Sequence, residues 1–166
     1  MRISILLFFL LLVSASIVAQ KEQHTLDFNG IDAFTLGMSK ASVEKLVGKK
    51  IVFKHIGIDV QYTEDISVTY KNIPFELMMM RSEEEVARVE SVSTKSANYK
   101  TKEGIGIGSD EATIINTYEK QLLIISKDMI TLADINDIRS SIVFDMENKK
   151  VVRITVAPTA AFRDRE

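Results

Sequence analysis

The chain contains no cysteine among its 166 residues. Disulfides and thiolate metal sites are therefore excluded, as is a lipid anchor attached through cysteine. Small domains often offset a limited core with disulfides, so this one depends on side-chain packing. Histidine is scarce too: His24 sits in a polar stretch and His55 beside a strand-like segment. Neither belongs to a spaced ligand cluster or a nucleophile elbow, so no metal site and no serine–histidine pair is expected. Charge of one sign is also missing. The 21 basic and 23 acidic residues are interspersed, for a formal net charge of -2, and strong attraction to nucleic acid or an anionic membrane is not implied.

One long apolar run does occur, at the N-terminus. Arg2 precedes Ile3 to Val13, almost entirely Ile, Leu and Phe, and Ser14, Ala15 and Ser16 lead to Val18-Ala19-Gln20. Basic, apolar and small residues in that order read as a secretory signal peptide, and the run falls short of the about 20 residues of a comfortable span. Residues 1–20 are assigned to it, with cleavage after Ala19 or Gln20 and a retained anchor as the alternative. Export implies a periplasmic or secreted protein with no stable transmembrane insertion after cleavage. The roughly 146 remaining residues suffice for one domain or two abutting subdomains.

Within them a turn-and-helix pattern occurs twice. Leu36-Gly37-Met38-Ser39 leads into Lys40-Ala41-Ser42-Val43, and Ile107-Gly108-Ser109-Asp110 leads into Glu111-Ala112-Thr113-Ile114, at an offset of 71 residues. Gly37 and Gly108 permit a tight bend, and Ser39 and Asp110 can then accept hydrogen bonds from the free amides of a first helical turn. Val43, Leu46 and Val47 share a face of the first helix, which Gly48 ends. Ile114, Ile115 and Tyr118 form the apolar face of the second. Gly104-x-Gly106-x-Gly108 superficially suggests a phosphate loop, but it lacks both the dinucleotide spacing and a following Gly-Lys-Ser/Thr. No cofactor is expected.

Strand patterns follow each helix. Ile51–53, weakly 59–62, Ile66–Tyr70, Phe75–80 and 86–92 give an antiparallel meander, with Pro74 at a bend. Phase along the third of these clear strands puts Phe75, Leu77 and Met79 on one face and Glu76, Met78 and Met80 on the other. Segments 122–125 and 129–132 come next, then a hairpin of 141–146 and 151–156 turning at 147–150, with one face wetter than the other. The chain thus reads as α+β, two similar halves each with a short helix on an antiparallel sheet. The expected divisions are a flexible start at 21–30, a first unit at 31–95, a polar boundary at 93–102, a second unit at 103–157 and a tail at 158–166, whose charged end Arg163-Asp164-Arg165-Glu166 frays.

The repeated turn and helix, together with the closing hairpin from Phe144 to Ile154, resemble a small bacterial envelope-protein superfamily. It includes the outer-membrane assembly lipoprotein SmpA/OmlA and the secreted β-lactamase inhibitory proteins. The resemblance covers 31–157 and implies short helices packed on an antiparallel sheet, in tandem as in the inhibitory proteins. Lipid-anchored members need a cysteine after the signal segment, so this chain would be a soluble relative.

The acidic segment 83–85 reads as a solvated turn and Asp134 and Asp137 as caps of turns or of a short helical piece, and 134–137 lacks the central Gly and terminal Glu of a calcium loop. No catalytic residue is assigned. The expected function is a non-catalytic exported protein-binding module of the bacterial envelope, whose partner is another envelope or secreted protein. Candidate partner-binding residues are Tyr62, Tyr70 and Phe75 as aromatic anchors if exposed, and Met78 and Met80 as an adaptable thioether face. The alternatives are a structural scaffold of an envelope assembly and a carboxylate-dependent hydrolase. An exposed patch holding Met78, Met80 or the tyrosines favours recognition, and a pocket lined by two carboxylates favours catalysis. Edge strands open to another chain are a further possibility, with the oligomeric state undetermined.

Overall fold

A computed structural model describes residues 24–53, 61–82, 87–133 and 139–159. Residues 1–20, read as a signal peptide, His55, the acidic segments 83–85 and 134–137 and residues 160–166 of the tail lie outside the described residues. In chain order the elements are β1 (His24–Asp27), β2 (Gly30–Ile31), β3 (Phe34–Thr35), α1 (Lys40–Val47), β4 (Gln61–Tyr70), β5 (Ile73–Ser82), β6 (Arg88–Thr94) and β7 (Tyr99–Lys100). They continue with α2 (Glu111–Thr117), β8 (Leu122–Ser126), β9 (Met129–Ala133), β10 (Ser140–Glu147) and β11 (Lys150–Pro158).

Turn chemistry pins the two central hairpins. Lys71 and Asn72 take φ of 50° and 63°, and Asn148 and Lys149 take 49° and 62°. Two consecutive left-handed residues make the two-residue turn whose twist matches paired strands. The strands assemble in the order β4-β5-β6-β11-β10-β9-β8 as one seven-stranded antiparallel sheet. A smaller sheet, β3-β2-β1-β7, is antiparallel except for β1–β7. The fold is α+β and forms two similar units, α1 with β4–β6 and α2 with β8–β11, whose last strands pair with each other. Among the described residues no helix is long and apolar enough to cross a membrane.

The two units repeat their hydrogen bonds as well as their elements. In the first, Gly37 N donates to Val89 O, Val89 N to Met38 O and Lys40 N to Ala87 O. In the second, Gly108 N donates to Val151 O, Val151 N to Ser109 O and Glu111 N to Lys149 O. Gly37 and Gly108 sit at φ of 76° and 85°. Ser39 Oγ accepts from Ser42 N at 3.2 Å and Asp110 Oδ1 from Thr113 N at 2.9 Å, so both residues cap their helices. Each anchored strand then carries a bulge, opposite Met78/Met79 in β6 and Asp145/Met146 in β11. The extra residue explains why Val89 and Val92, three apart, are both buried, as are Val151 and Ile154.

One face of the large sheet meets the helices and the small sheet. Val43 of α1, Ile114 of α2 and Tyr118 at the end of α2 join Phe75, Leu77, Met79, Phe144 and Ile154 in a single buried cluster. Phe75 lies 4.8 Å from Phe34 and 5.4 Å from Tyr99, ring centre to ring centre. Tyr99 and Tyr118 keep their hydroxyls satisfied, Tyr99 by Asp32 and Tyr118 by Thr101 and Glu103. Burial above all, with the neighbouring carboxylate adding to it, pushes both phenols well above their ordinary range.

One expectation is corrected here. The start at 21–30, read as flexible, contains β1 and the first residue of β2, because Leu26 enters the core at 3% exposure and β1 pairs on both sides. The polar stretch 93–102, expected as the boundary between the halves, runs from the end of the first unit toward α2. It holds the end of β6 and all of β7, and Ser93, Thr94 and Thr101 are buried with hydroxyl partners in Thr155, Pro74 O and Tyr118.

Two consequences can be measured. A Cβ on Gly30 would lie 2.0 Å from Phe34 O, whereas one on Gly108 meets nothing within 4 Å and carries only its left-handed backbone. Gly108→Ala is expected to cost about 1–2 kcal/mol in urea denaturation; Gly30→Ala should cost clearly more, because hairpin backbone must move. Second, the Thr113 amide and then its hydroxyl hold the exposed Asp110 carboxyl below its usual 3.8. A folded value below the unfolded one stabilises above about pH 4 and stops doing so as pH falls through the folded value. The melting-temperature gap between the parent and Asp110→Ala should therefore be full at neutral pH and shrink in acid.

Candidate functional site

Strand alternation that buries Phe75, Leu77 and Met79 sends Glu76 and Met78 to the opposite side of the sheet. Neither helix packs there. Asp65, Ser67, Glu76, Met78, Ser91 and Ser93 from the first unit and Met129, Asp145, Arg153, Thr155 and Ala157 from the second line a cleft of about 380 Å³. The face is not uniformly accessible. Thr131, Ala133, Ser141 and Val143 on β9 and β10 are buried, and the cleft centres on β4, β5, β6 and β11.

The cleft lies across the junction of the two units. Ser93 pairs with Thr155, and these are corresponding positions of β6 and β11, so a local two-fold axis passes between them. Their hydroxyls hydrogen-bond at 2.8 Å. On either side the same framework positions hold different chemistry. Met78 opposite Ser91, flanked by Asp65, corresponds to Asp145 opposite Arg153, flanked by Met129. The site is thus an asymmetric filling of a nearly symmetric frame.

Arg153 is its electrostatic centre. Its Nε donates to Asp145 Oδ2 and its Nη1 lies 3.7 Å from Glu76 Oε2, so one guanidinium bridges carboxylates of the two units. Asp65 adds a third acid, giving the lining three acidic side chains to one basic. A shallower depression between two hairpin turns is lined by Asp128, Asp145 and Glu147 among others. Among the described residues no group of three His, Asp or Glu side chains could hold a metal ion.

Of the residues named from sequence, Met78 alone lines the cleft. Met80 lies two residues along the same strand, half-buried and outside the lining. Tyr70 is half-buried on the helix side, edge-on to Phe34 at 5.7 Å. Phe75 is 1% exposed and belongs to the core, so it cannot serve as an anchor. The backbone of Tyr62 pairs with Arg81 in β4; its side chain lies outside the described residues. Sequence reasoning missed Arg153, Asp145 and Glu76. The alternation that marked the wetter face of the closing hairpin already contained the signal for the first two, since Asp145 and Arg153 interrupt its apolar phase. The cleft holds both Met78 and several carboxylates, so the two features proposed to separate recognition from catalysis occur together.

No protein-family model matches this chain, and comparison with curated proteins and with solved structures finds no significant match. What the molecule defines is a class: a two-unit α+β fold with a polar cleft over its internal junction.

The Ser93–Thr155 pair permits a test of the junction. Truncating either partner strands a buried hydroxyl, so Ser93→Ala or Thr155→Val alone is expected to cost about 1–3 kcal/mol. The double variant should cost less than the sum, with a coupling of about 1 kcal/mol in a urea double-mutant cycle.

Proposed function

We propose that this chain is a non-catalytic, exported protein-binding module of the bacterial envelope, and that it recognises another envelope or secreted protein over the cleft. The observation that carries this reading is the cleft's position and lining: a sheet face that neither described helix covers, with a central ion pair, short hydroxyl side chains and an adaptable methionine. Such a surface offers hydrogen bonds and charge at fixed positions on strands, where a partner meets little conformational cost. The signal-peptide pattern of residues 1–20 supports delivery to the periplasm or beyond, and the lack of cysteine removes cysteine-based lipid anchoring. The resemblance to small envelope proteins favours the same compartment.

The three carboxylates would be the starting point for a hydrolase reading. Arg153 weighs against it. A pair of catalytic carboxyl groups needs an open gap for the scissile bond or a water, and here the guanidinium occupies the space between Glu76 and Asp145.

The test is partner capture by the processed chain from envelope and secreted fractions of its host, identified by mass spectrometry. One reproducible partner should be recovered, then lost by at least tenfold with Arg153→Glu or Met78→Asp and retained with Lys49→Ala, an exposed position just beyond α1. Capture indifferent to the cleft variants, or no partner across several salt concentrations, would reject the reading.

A further inference from the structure

The seven-stranded sheet ends in two outer strands of opposite character. β4 carries Glu64 and Asp65 along its length, and charge on an edge discourages pairing with another chain. β8 reads Leu-Leu-Ile-Ile-Ser, with neither charge nor proline. Ile124 and Ile125 are 52% and 49% exposed, and with Val52 they are the exposed large hydrophobics of the described residues. An uncharged apolar strand at a sheet edge is a liability unless something uses it.

Backbone direction limits how it can be used. Ser126 pairs with Met129 across a two-residue turn, so those two exchange hydrogen bonds and the pattern alternates back along the strand. Leu122, Ile124 and Ser126 turn their peptide groups toward β9, and Leu123 and Ile125 turn theirs outward. An incoming antiparallel strand must match outward residues to outward residues.

We infer that two copies of this chain join edge to edge through β8, antiparallel, about a two-fold axis at Ile124. Leu123 of each copy then exchanges hydrogen bonds with Ile125 of the other, and the two Ile124 side chains meet in the closer, non-hydrogen-bonded pairing. This is the register that keeps all five residues of β8 opposite one another. Centring on Leu123 instead sets Ile125 against Gln121, and centring on Ile125 sets Leu123 against Lys127.

Apolar matching sets the register, and charge in that register is compatible with a second copy as the occupant. Beyond the strand, Lys120 of one copy comes opposite Asp128 of the other, twice by symmetry, and both residues are exposed. The flanks Glu119-Lys120 and Lys127-Asp128 each carry both signs, and with Lys120 set against Asp128 an apolar centre between them is complementary to itself, as an isologous interface requires. The chain's small net charge of -2 adds little repulsion between copies. Five paired residues make a small interface, so the dimer is weak and concentration-dependent. It uses the sheet edge rather than the cleft, so it stands or falls apart from the partner reading.

Sedimentation velocity on the processed chain, from micromolar to millimolar concentration, tests it. The parent should pass from monomer to dimer, and Ile124→Lys should remain monomeric with an unchanged circular dichroism spectrum. Lys120→Glu and Asp128→Lys, both surface changes, should each weaken the dimer on the order of tenfold, and the double swap should restore it to within about threefold. A parent that stays monomeric throughout, a dimer untouched by Ile124→Lys, single charge variants as tight as the parent, or open-ended assembly in place of a dimer each overturns the inference.

Discussion

The backbone hydrogen bonds between each glycine turn and the strand that closes its unit are the constraint on which this structure depends. A left-handed glycine lets the chain present an amide and a carbonyl sideways to Val89 in one unit and Val151 in the other. The same turn places Ser39 or Asp110 to cap the helix that follows. Helix position and strand position are therefore set together. Because the turn occupies one side of the strand only at its start, the strand is free to bulge and take its other unit as neighbour further along.

That handover produces the junction. β6 and β11 leave their own turns, pass a bulge and pair with each other, which merges two short meanders into one sheet. A continuous sheet needs no linker between units, and the polar residues at the seam serve as hydrogen-bonding groups inside it. The cleft lies above this seam because both units contribute the same framework positions there. Arg153 bridging Glu76 and Asp145 is possible only across two units. Neither unit alone holds both acids beside the arginine.

Much of the framework was legible because it rests on local chemistry. The Gly-x-Ser and Gly-x-Asp turns, the helix faces of Val43 and Ile114, and the phase of Phe75, Leu77 and Met79 each follow from a few adjacent residues and one periodicity. Residues 24–30 were misread because short strands that pair with distant segments carry little local pattern. The burial of Ser93 and Thr94 was not legible for a related reason: a buried serine or threonine looks like a surface one until its partner is known, and Thr155 lies 62 positions from Ser93. The site was the least legible part. Met78 was found by alternation, whereas Phe75, selected as an anchor by residue type, is core because its strand phase turns it toward the helices.

By itself, then, the sequence determined the α+β class, the twofold turn-and-helix pattern and the absence of any cysteine chemistry, since composition and short-range periodicity suffice for these. Only the tertiary structure decided that the two units share one sheet, that Arg153 sits between acids of both, and that β8 rather than β4 is its apolar edge. Strand order and the meeting of side chains remote in sequence arise from long-range pairing, and no local window of residues contains that information.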